Sequence, residues 1–246
     1  MSGNDRTAHR LFLEALLATG QRVDCTPEQA NYLLNVLRLG ADAEILVFNG
    51  RDGEWRARLT GVGKRRCALE CVERVRQQAS GPDLHYLFAP LKHARLDYMV
   101  QKATELGVAR LRPVLTRRTI AARVNGERMR ANAIEAAEQC GILWVPQVAA
   151  PERLEAVLQG WDQTRALMFC DEAAAVASPL AALAALEGRP LAVLIGPEGG
   201  FDPSEQTLLR EKSFALPISL GPRIMRADTA AVAALALVNA ALGDWR

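Results

Sequence analysis

The first third of the chain alternates apolar and polar residues over short stretches, as in residues 54–59. Paired turn residues, Asn49-Gly50 and Asp52-Gly53, separate these stretches. Alternation with a period of two is typical of half-buried β-strands, and Asn-Gly or Asp-Gly pairs favour tight hairpin turns. A short helix is predicted over residues 27–37, with Thr26 as its N-cap. The pattern therefore predicts a compact, barrel-like unit with strands at 44–48, 54–59 and 67–71.

After residue 82 the pattern changes to apolar runs that alternate with amphipathic stretches. A polar segment that ends in Gly-Pro, residues 77–82, is predicted to link a first domain, 1–76, to a second domain, 83–246. Alternating strands and helices are typical of a mainly parallel sheet covered on both faces, so the predicted fold class is α/β. Strands are predicted at 84–89, 110–115, 145–148, 165–170, 191–195 and 214–220, and helices at 94–106, 127–140, 151–159, 178–187, 203–212 and 228–242.

The last predicted helix is apolar almost all round. From Ala230 to Leu242 its apolar run is interrupted only by Asn239. A helix of this kind must be covered, either by its own sheet or by a second copy of the chain. Faces of small alanine side chains allow helices to pack closely, which favours a homodimer. Burial in the chain's own core is the alternative.

Composition limits the classes of protein that need to be considered. Half of the 246 residues are apolar and 24% are charged, as in a folded soluble protein. Five cysteines without a Cys-x-x-Cys pair and three scattered histidines do not favour a metal site or a disulfide framework. The longest apolar run is too short to span a bilayer, and charged residues near the start do not fit a signal peptide. We therefore expect a cytoplasmic protein with no metal and no membrane partner.

Basic residues are concentrated in the middle of the chain. Residues 81–130 contain 10 Lys and Arg against 4 Asp and Glu, whereas residues 131–246 contain 8 against 14. An arginine-rich segment is the electrostatic pattern expected of a surface that meets phosphates. Exposed arginine also serves solubility alone, so the charge pattern leaves both interpretations open.

Two glycine-bearing loops near the end of the chain, residues 194–201 and 219–230, are the strongest indication of a ligand site. Each follows an apolar strand and precedes a helix, which places it at the carboxyl edge of an α/β sheet, where ligands bind. The first loop leads into a clear helix start, with Asp202 as N-cap, Pro203 at the first position and Glu205 three residues after the cap. Neither loop matches a Walker, Rossmann or serine-hydrolase motif. The loops indicate a crevice suited to an adenosine-like ligand and an anionic partner.

The two loops together resemble the signature pair of a known family. Leu-Ile-Gly-Pro-Glu-Gly-Gly-Phe and Ser-Leu-Gly-Pro-Arg-Ile-Met-Arg-Ala-Asp-Thr-Ala are similar to strings of the SPOUT-class RNA methyltransferases, specifically the ribosomal RNA small subunit methyltransferase E family. Further matching stretches lie in order along nearly the whole chain, at 9–12, 36–38, 101–107 and 136–141. The chain departs from the family pattern at Ile142, where relatives often have arginine, and at Asp228, where many have glutamate.

The resemblance implies a PUA-like β-barrel domain over 1–76, followed by a SPOUT methyltransferase domain whose C-terminal segment is threaded as a trefoil knot. It also implies a homodimer that binds S-adenosyl-L-methionine in the knot and RNA across both subunits. The implied reaction is methylation of N3 of a uridine in 16S ribosomal RNA of the small subunit.

Catalytic roles follow from what this reaction requires. The protein must hold N3 in line with an electrophilic methyl group and help N3 lose its proton. Arg226 is predicted to stabilise the negative charge that then develops on the uridine carbonyl oxygens. Glu198 and Asp228 are the candidate bases. Asp228 is alternatively the N-cap of the last helix, and Glu198 is alternatively an anchor that holds its loop.

The other predicted site residues form two groups. Cofactor contacts are expected from backbone groups of the two loops, from side chains that pack on adenine and from the end of a neighbouring strand, at Phe169, Glu172, Leu194, Gly196, Gly199, Gly200, Leu220, Gly221, Ile224, Met225 and Thr229. RNA contacts are expected from basic side chains, at Arg10, Arg38, Arg117, Arg118, Arg123 and Arg223.

Two alternative functions remain open at this point. One is a knotted methyltransferase that acts on transfer RNA or on a ribose 2′-hydroxyl group. The other is an RNA-binding assembly factor that has kept the fold and lost catalysis, although the intact glycines and Arg226 argue against it.

Overall fold

The structure is a computed structural model that describes residues 9–92, 94–121, 123–172, 174 and 178–246. The chain forms two compact units. The first comprises Met1–Ser80 with Ala137–Trp144, and the second comprises Gly81–Ala136 with Val145–Arg246. Nothing in the sequence pattern indicated that the short segment Ala137–Trp144 groups with the first unit.

The first unit is built on a five-stranded mixed sheet. The strands lie in the order β1-β3-β4-β5-β2, with β1 parallel to β3 and the other neighbours antiparallel. The strands predicted at 44–48 and 54–59 are confirmed, whereas β1 and β2 were not predicted because three residues are too few to show an alternation. The bounds are β1 (Arg10–Phe12), β2 (Arg22–Asp24), β3 (Glu44–Phe48), β4 (Glu54–Thr60) and β5 (Ala68–Arg76).

The helix predicted over 27–37 changes type halfway along. Helix α1 covers Pro27–Asn31 and begins with a capping box between Thr26 and Gln29, as its N-cap residue predicted. The next turn, Tyr32–Val36, is a π-helix. Leu33 in this turn is fully buried in a hydrophobic cluster that includes residues of β3, β4 and β5. The first unit therefore has a core of its own.

The second unit contains a parallel sheet in the order β12-β10-β11-β6-β7-β8, and β9 pairs with the end of β7. Because β11 lies between β10 and β6, the order of strands in the sheet departs there from their order in the chain. Such a point in an open parallel sheet forms a crevice beyond the carboxyl ends of the strands. The bounds are β6 (Leu84–Phe88), β7 (Arg110–Leu115), β8 (Gln147–Val148), β9 (Glu152–Arg153), β10 (Ala166–Cys170), β11 (Leu191–Ile195) and β12 (Ala215–Ile218).

Helices cover both faces of this sheet, as predicted. In β11, Leu191, Val193 and Ile195 pack into one cluster with α2, α3, α5 and α7, while Ala192 and Leu194 pack into another with α4 and α6. This alternation is the two-residue period of a strand buried on both sides. The helices are α2 (Ala94–Glu105), α3 (Gly126–Cys140), α4 (Leu154–Gln159), α5 (Pro179–Ala184), α6 (Pro203–Arg210) and α7 (Ala227–Leu242).

The apolar helix α7 packs against α2 and α5 of its own unit. Its one interior amide, Asn239, is buried, and its Nδ2 donates a hydrogen bond of 2.8 Å to the carbonyl oxygen of Leu106. This bond satisfies a polar group that burial would otherwise destabilise. Core packing thus covers one side of α7, while the homodimer stays a prediction. No helix in the described part of the chain is both long enough and apolar enough to cross a membrane.

Candidate active site

The carboxyl ends of β10, β11 and β12 surround a cavity of about 280 Å³. Its lining includes the loop after β11, the loop after β12, and Asp171 and Glu172 at the end of β10. The two glycine-bearing loops therefore meet at one crevice. This arrangement follows from their positions after strands that neighbour β10 on its two sides.

Most of the predicted cofactor residues line this cavity. The loops supply glycines and flexible apolar side chains, the sheet supplies Ile195 and Ile218, and the first turns of α7 supply Ala227 and Ala230. Ile224 is 89% exposed, which leaves an apolar side chain free to contact a ligand. The predicted cofactor residues in the lining are Glu172, Gly196, Gly199, Gly200, Leu220, Gly221, Ile224 and Met225. The lining also includes Glu198, predicted as a base, and Arg223, predicted as an RNA contact.

Three glycines in the cavity wall are needed for two different reasons. Gly200 and Gly221 have φ angles of 68° and 104°, in the left-handed region that side chains disfavour. At Gly196, a Cβ atom would lie 3.0 Å from the ring of Phe201, which is itself buried. Gly196 therefore serves the packing of Phe201 as well as the surface of the cavity.

An ion pair with a buried carboxylate holds the wall at the end of β10. The carboxylate of Asp171, 2% exposed, accepts hydrogen bonds from Nε and Nη2 of Arg210 on α6, at 2.9 and 2.5 Å. A buried carboxylate requires such a partner, so α6 fixes this part of the wall. At the neighbouring Cys170, burial raises the pKa of the thiol to about 12. Cys170 is therefore a neutral lining group rather than a nucleophile.

The start of α6 also ties two loops together. Glu205 is buried, and its carboxylate accepts a hydrogen bond of 2.9 Å from the backbone N–H of Asp202, which completes the predicted capping box. The same carboxylate accepts a bond of 2.8 Å from the backbone N–H of Arg117, in the loop after β7. Arg118 in that loop donates to the carbonyl oxygen of Gly199, at 2.7 Å. The loop after β7 is thereby fastened to the loop after β11.

Arg95, at the start of α2, lies beside both candidate bases. Its Nη1 atom is 3.6 Å from Oε1 of Glu198, and its Nε atom is 4.0 Å from Oδ2 of Asp228. Nothing in the helical pattern singled out this residue, because the pattern does not show what faces each side of a helix. The available signal was its position, since α2 follows β6 at the same edge of the sheet as the two loops.

Arg226 and Asp228 flank Ala227, a lining residue of the cavity. Arg226 is exposed and is the N-cap residue of α7, although its side chain makes no capping hydrogen bond. Asp228 lies inside the first turn, where its carboxylate accepts a bond of 2.8 Å from the N–H of Thr229. The alternative interpretation of Asp228 as the N-cap is therefore wrong.

Three residues expected to contact the cofactor are not among the lining residues. Phe169 and Leu194 are fully buried in the cluster against α4 and α6, because their positions in β10 and β11 point to that face of the sheet. Thr229 is exposed on the first turn of α7. For Phe169 the structure corrects the expectation of a side chain at the wall, whereas Leu194 is expected to contribute backbone groups alone, and that expectation stays a prediction. Only their backbone lies near the strand ends.

The predicted RNA-binding arginines differ in what they contact. Arg38, Arg117, Arg118, Arg123 and Arg223 are exposed. Arg10, in contrast, has a side chain that is only 10% exposed. Its guanidinium donates hydrogen bonds within the first unit, to the carboxylate of Glu54 at 2.6 Å and to the carbonyl oxygens of Ala137 and Ile142 at 2.5 and 3.0 Å. Arg10 is therefore a structural residue, which corrects its prediction as an RNA contact.

Comparison with known proteins identifies both parts of the chain. The family model described as RNA methyltransferase domain matches residues 79–239, and that described as RNA methyltransferase PUA domain matches residues 26–70. The protein named Ribosomal RNA small subunit methyltransferase E from Synechocystis is 34% identical to this chain, over 96% of this chain and 78% of that protein. The protein of the same name from Rickettsia conorii is 28% identical, over 94% of this chain and 95% of that protein.

Solved structures agree with these matches. A protein from Legionella pneumophila, crystallised with S-adenosylmethionine, superposes with a TM-score of 0.85 at 28% identity, covering 96% of this chain and 99% of its own. The ribosomal RNA small subunit methyltransferase E from Neisseria gonorrhoeae, also bound to S-adenosylmethionine, superposes with a TM-score of 0.84 at 27% identity. The match covers 97% of this chain and 100% of that chain. The expected α/β fold preceded by a PUA-like domain is confirmed, and the chain belongs to the ribosomal RNA small subunit methyltransferase E family.

Proposed function

We propose that this protein uses S-adenosyl-L-methionine to methylate N3 of a specific uridine in 16S ribosomal RNA of the small subunit. The observation that carries the proposal is the single cavity into which the two glycine-bearing loops converge, at the carboxyl edge of the parallel sheet. A homodimer, a knotted C-terminal segment and a cytoplasmic location belong to the same proposal.

The donor set of the cavity fits this cofactor. Ile195, Ile218, Ile224 and Met225 offer apolar contacts for an adenine ring, and Glu172 offers a carboxylate for hydroxyl or ammonium groups. At Gly200 and Gly221, both in left-handed turns, no atom of the described residues other than the two adjoining ones lies within 4 Å of the position that a Cβ atom would take. They keep the wall open to a ligand's close approach.

The protein's own task is to orient the uridine and to accept its N3 proton. When bound, S-adenosylmethionine supplies a methyl group that is already electrophilic. Arg226 is the proposed donor to the uridine carbonyl oxygens, where a fixed guanidinium stabilises the charge left by deprotonation. Glu198 and Asp228 are the proposed proton acceptors, and both lie within 4.0 Å of Arg95. Arg95 thus lies near both carboxylates.

The exposed arginines are the proposed RNA contacts. Arg117 and Arg118 follow β7, Arg223 lines the cofactor cavity, and Arg123 lies in the same loop as Arg118. Arg38 belongs to the first unit. Each exposed guanidinium that meets a phosphate contributes to affinity in a salt-dependent way.

The function is tested by transfer of labelled methyl groups to small ribosomal subunits from a strain that lacks the enzyme. We expect one methyl group per subunit, and digestion to nucleosides should give 3-methyluridine. Subunits from the parent strain are the control, because their site is already modified. A product methylated on a ribose hydroxyl, or label on transfer RNA alone, would contradict the proposal.

Arg226→Ala tests the catalytic role of the arginine. We expect kcat to fall by about 100-fold, since the loss of a preorganised donor to a developing oxyanion costs roughly 3 kcal/mol. Affinity for S-adenosylmethionine, measured by calorimetry, should stay within about twofold, because the side chain does not line the cavity. Arg226→Lys should recover part of the rate. An unchanged kcat in Arg226→Ala would remove this residue from the mechanism.

A further inference from the structure

A second, larger cavity lies in the same unit and is not used by the reaction described above. Its volume is about 620 Å³, and its lining comes from the loop after β6, the first turn of α2, the loop after β7 and the start of α3. Like the first cavity, it opens at the carboxyl edge of the sheet. It lies over β6 and β7, whereas the first cavity lies over β10, β11 and β12.

The charge of this cavity is positive. Its ionisable lining residues are Lys92, Arg123, Arg128 and Asp97. Asp97 is engaged with Arg128, whose Nε and Nη2 atoms donate to its two carboxylate oxygens at 2.9 and 2.5 Å. Lys92 and Arg123 are exposed, and neither forms an ion pair with any carboxylate in the described part of the chain. Two cations are therefore available to an anionic ligand.

The rest of the lining is apolar and includes an exposed side chain. Leu91 and Met129 are buried, Leu96 is partly buried, and Ile120 is 70% exposed. A flat ring placed here would cover Ile120 and rest on side chains that already belong to the core. Apolar walls with two free cations match a nucleotide, which combines a planar base with a phosphate.

The two cavities are bordered by the same structural elements. The backbone N–H of Ala89, directly after β6, donates to the carbonyl oxygen of Ile195 at 3.0 Å. Consecutive residues of α2 serve both cavities, since Arg95 faces Glu198 while Leu96 lines the second cavity. The loop after β7 does the same, because Arg118 holds Gly199 and Ile120 lines the second cavity. RNA that presents a uridine to the cofactor in the first cavity would therefore lie close to elements that also line the second cavity.

We propose that the second cavity binds an unstacked nucleotide of the RNA that flanks the methylated uridine. Its base packs on Ile120 and Leu96, and its phosphates lie at Lys92 and Arg123. The inference rests on the proposed function and adds to it a subsite for the substrate. It predicts that the enzyme recognises single-stranded or locally unpaired RNA, in which bases are free to leave the stack.

The test is photocrosslinking with small ribosomal subunits that contain 4-thiouridine and come from a strain that lacks the enzyme. We expect crosslinked peptides that carry Ile120 or Met129. Steady-state kinetics should show that Ile120→Ser and Arg123→Ala each raise KM for subunits by about three- to tenfold with kcat little changed. Arg123→Ala should also reduce the salt slope of binding by about one. Affinity for S-adenosylmethionine should be unchanged in both variants.

Arg189→Ala is the matched control, because this exposed arginine precedes β11 at the opposite edge of the sheet. It removes the same charge and should leave KM unchanged. Methyl transfer without crosslinks at the second cavity would overturn the subsite and leave the proposed function standing. A weaker affinity for S-adenosylmethionine in Arg123→Ala would assign the second cavity to the cofactor and would also overturn the nucleotide subsite. Absence of methyl transfer by the wild-type protein would overturn both proposals.

Discussion

Arg95 shows how a residue with no sequence signature acquires a place in a site. Its guanidinium lies between Glu198, in the loop after β11, and Asp228, in the first turn of α7. The Arg95 side chain is 42% exposed, and exposed ion pairs are worth about 0.2–1 kcal/mol each. Arg95 is therefore expected to adjust the position of the two carboxylates rather than to hold the fold together.

Arg95→Ala should weaken binding of S-adenosylmethionine by about two- to fivefold, because a loop and a helix end that line the cavity lose a shared cation. The difference from wild type should shrink at high salt. Calorimetry at two salt concentrations measures both effects. Arg56→Ala is the control, since it removes two ion pairs of similar exposure from the first unit and should not change affinity. A loss above about 100-fold would show that Arg95 contacts the ligand directly.

Single residues were predicted well where the local string decided their position, and poorly where a distant partner did. Gly196, Gly200 and Gly221 line the cavity because loop glycines after strands lie at the sheet edge. Arg10 was misassigned, because its partner Glu54 lies 44 residues away and nothing in the sequence pairs them. The prediction for Phe169 was wrong because successive residues of a strand point to opposite faces of the sheet, and Phe169 points to the face covered by α4 and α6.

At the level of elements, α6 organises the site more than any other helix. Its first turn fastens the loops after β7 and β11 through Glu205, and its last turn places Arg210 on Asp171. The capping box was predictable, because it involves residues three positions apart. The tie to Arg117 was not, because it joins residues 88 apart in the chain. The π-helical turn Tyr32–Val36 was equally hidden, since its residues fit an ordinary helical pattern.

Glu205→Ala should lower the free energy of unfolding of the second unit by about 2–4 kcal/mol. The reason is that two backbone N–H groups lose their acceptor, at a cost of about 1–3 kcal/mol each. Glu205→Gln retains one good acceptor and should lose about half as much. Urea denaturation measures the change. Glu211→Ala, at the exposed far end of the same helix, is the control and should be close to neutral. Equal stability of Glu205→Ala and wild type would mean that water replaces the carboxylate.

For the whole molecule, the hydrophobic pattern predicted a small β-rich unit and a parallel α/β unit, and both are present. The periods of two and 3.6 residues involve only residues near each other in the chain, so strands and helices can be predicted without knowing what they pack against. The grouping of Ala137–Trp144 with the first unit depends on contacts such as those from Arg10 and Arg76, which no local pattern contains. A threaded C-terminal segment is likewise outside what periodicity can express, and it stays an implication of the family resemblance.

His85 on β6 makes the stability of the second unit depend on pH. Burial, with Arg165 beside it, lowers the pKa of His85 to about 4, whereas a histidine in the unfolded chain titrates near 6.5. As the pH falls from 6.5 toward 4, the unfolded chain binds a proton that the folded chain does not, so the folded state loses stability. Above pH 6.5 His85 is neutral in both the folded and the unfolded chain, so this loss of stability is absent. Because the side chain retains some solvent contact, the loss at pH 5 should be about 1 kcal/mol.

Urea denaturation at pH 7.5 and pH 5.0 tests this expectation in wild type and in His85→Gln. The wild-type protein should lose about 1 kcal/mol more than the variant over this interval, because glutamine carries no titrating proton. Parallel losses in the two proteins would show that His85 is protonated in the fold, paired with Asp83, whose Oδ1 atom lies 3.5 Å from its Nε2 atom. The pH dependence would then have to come from carboxylates elsewhere in the molecule.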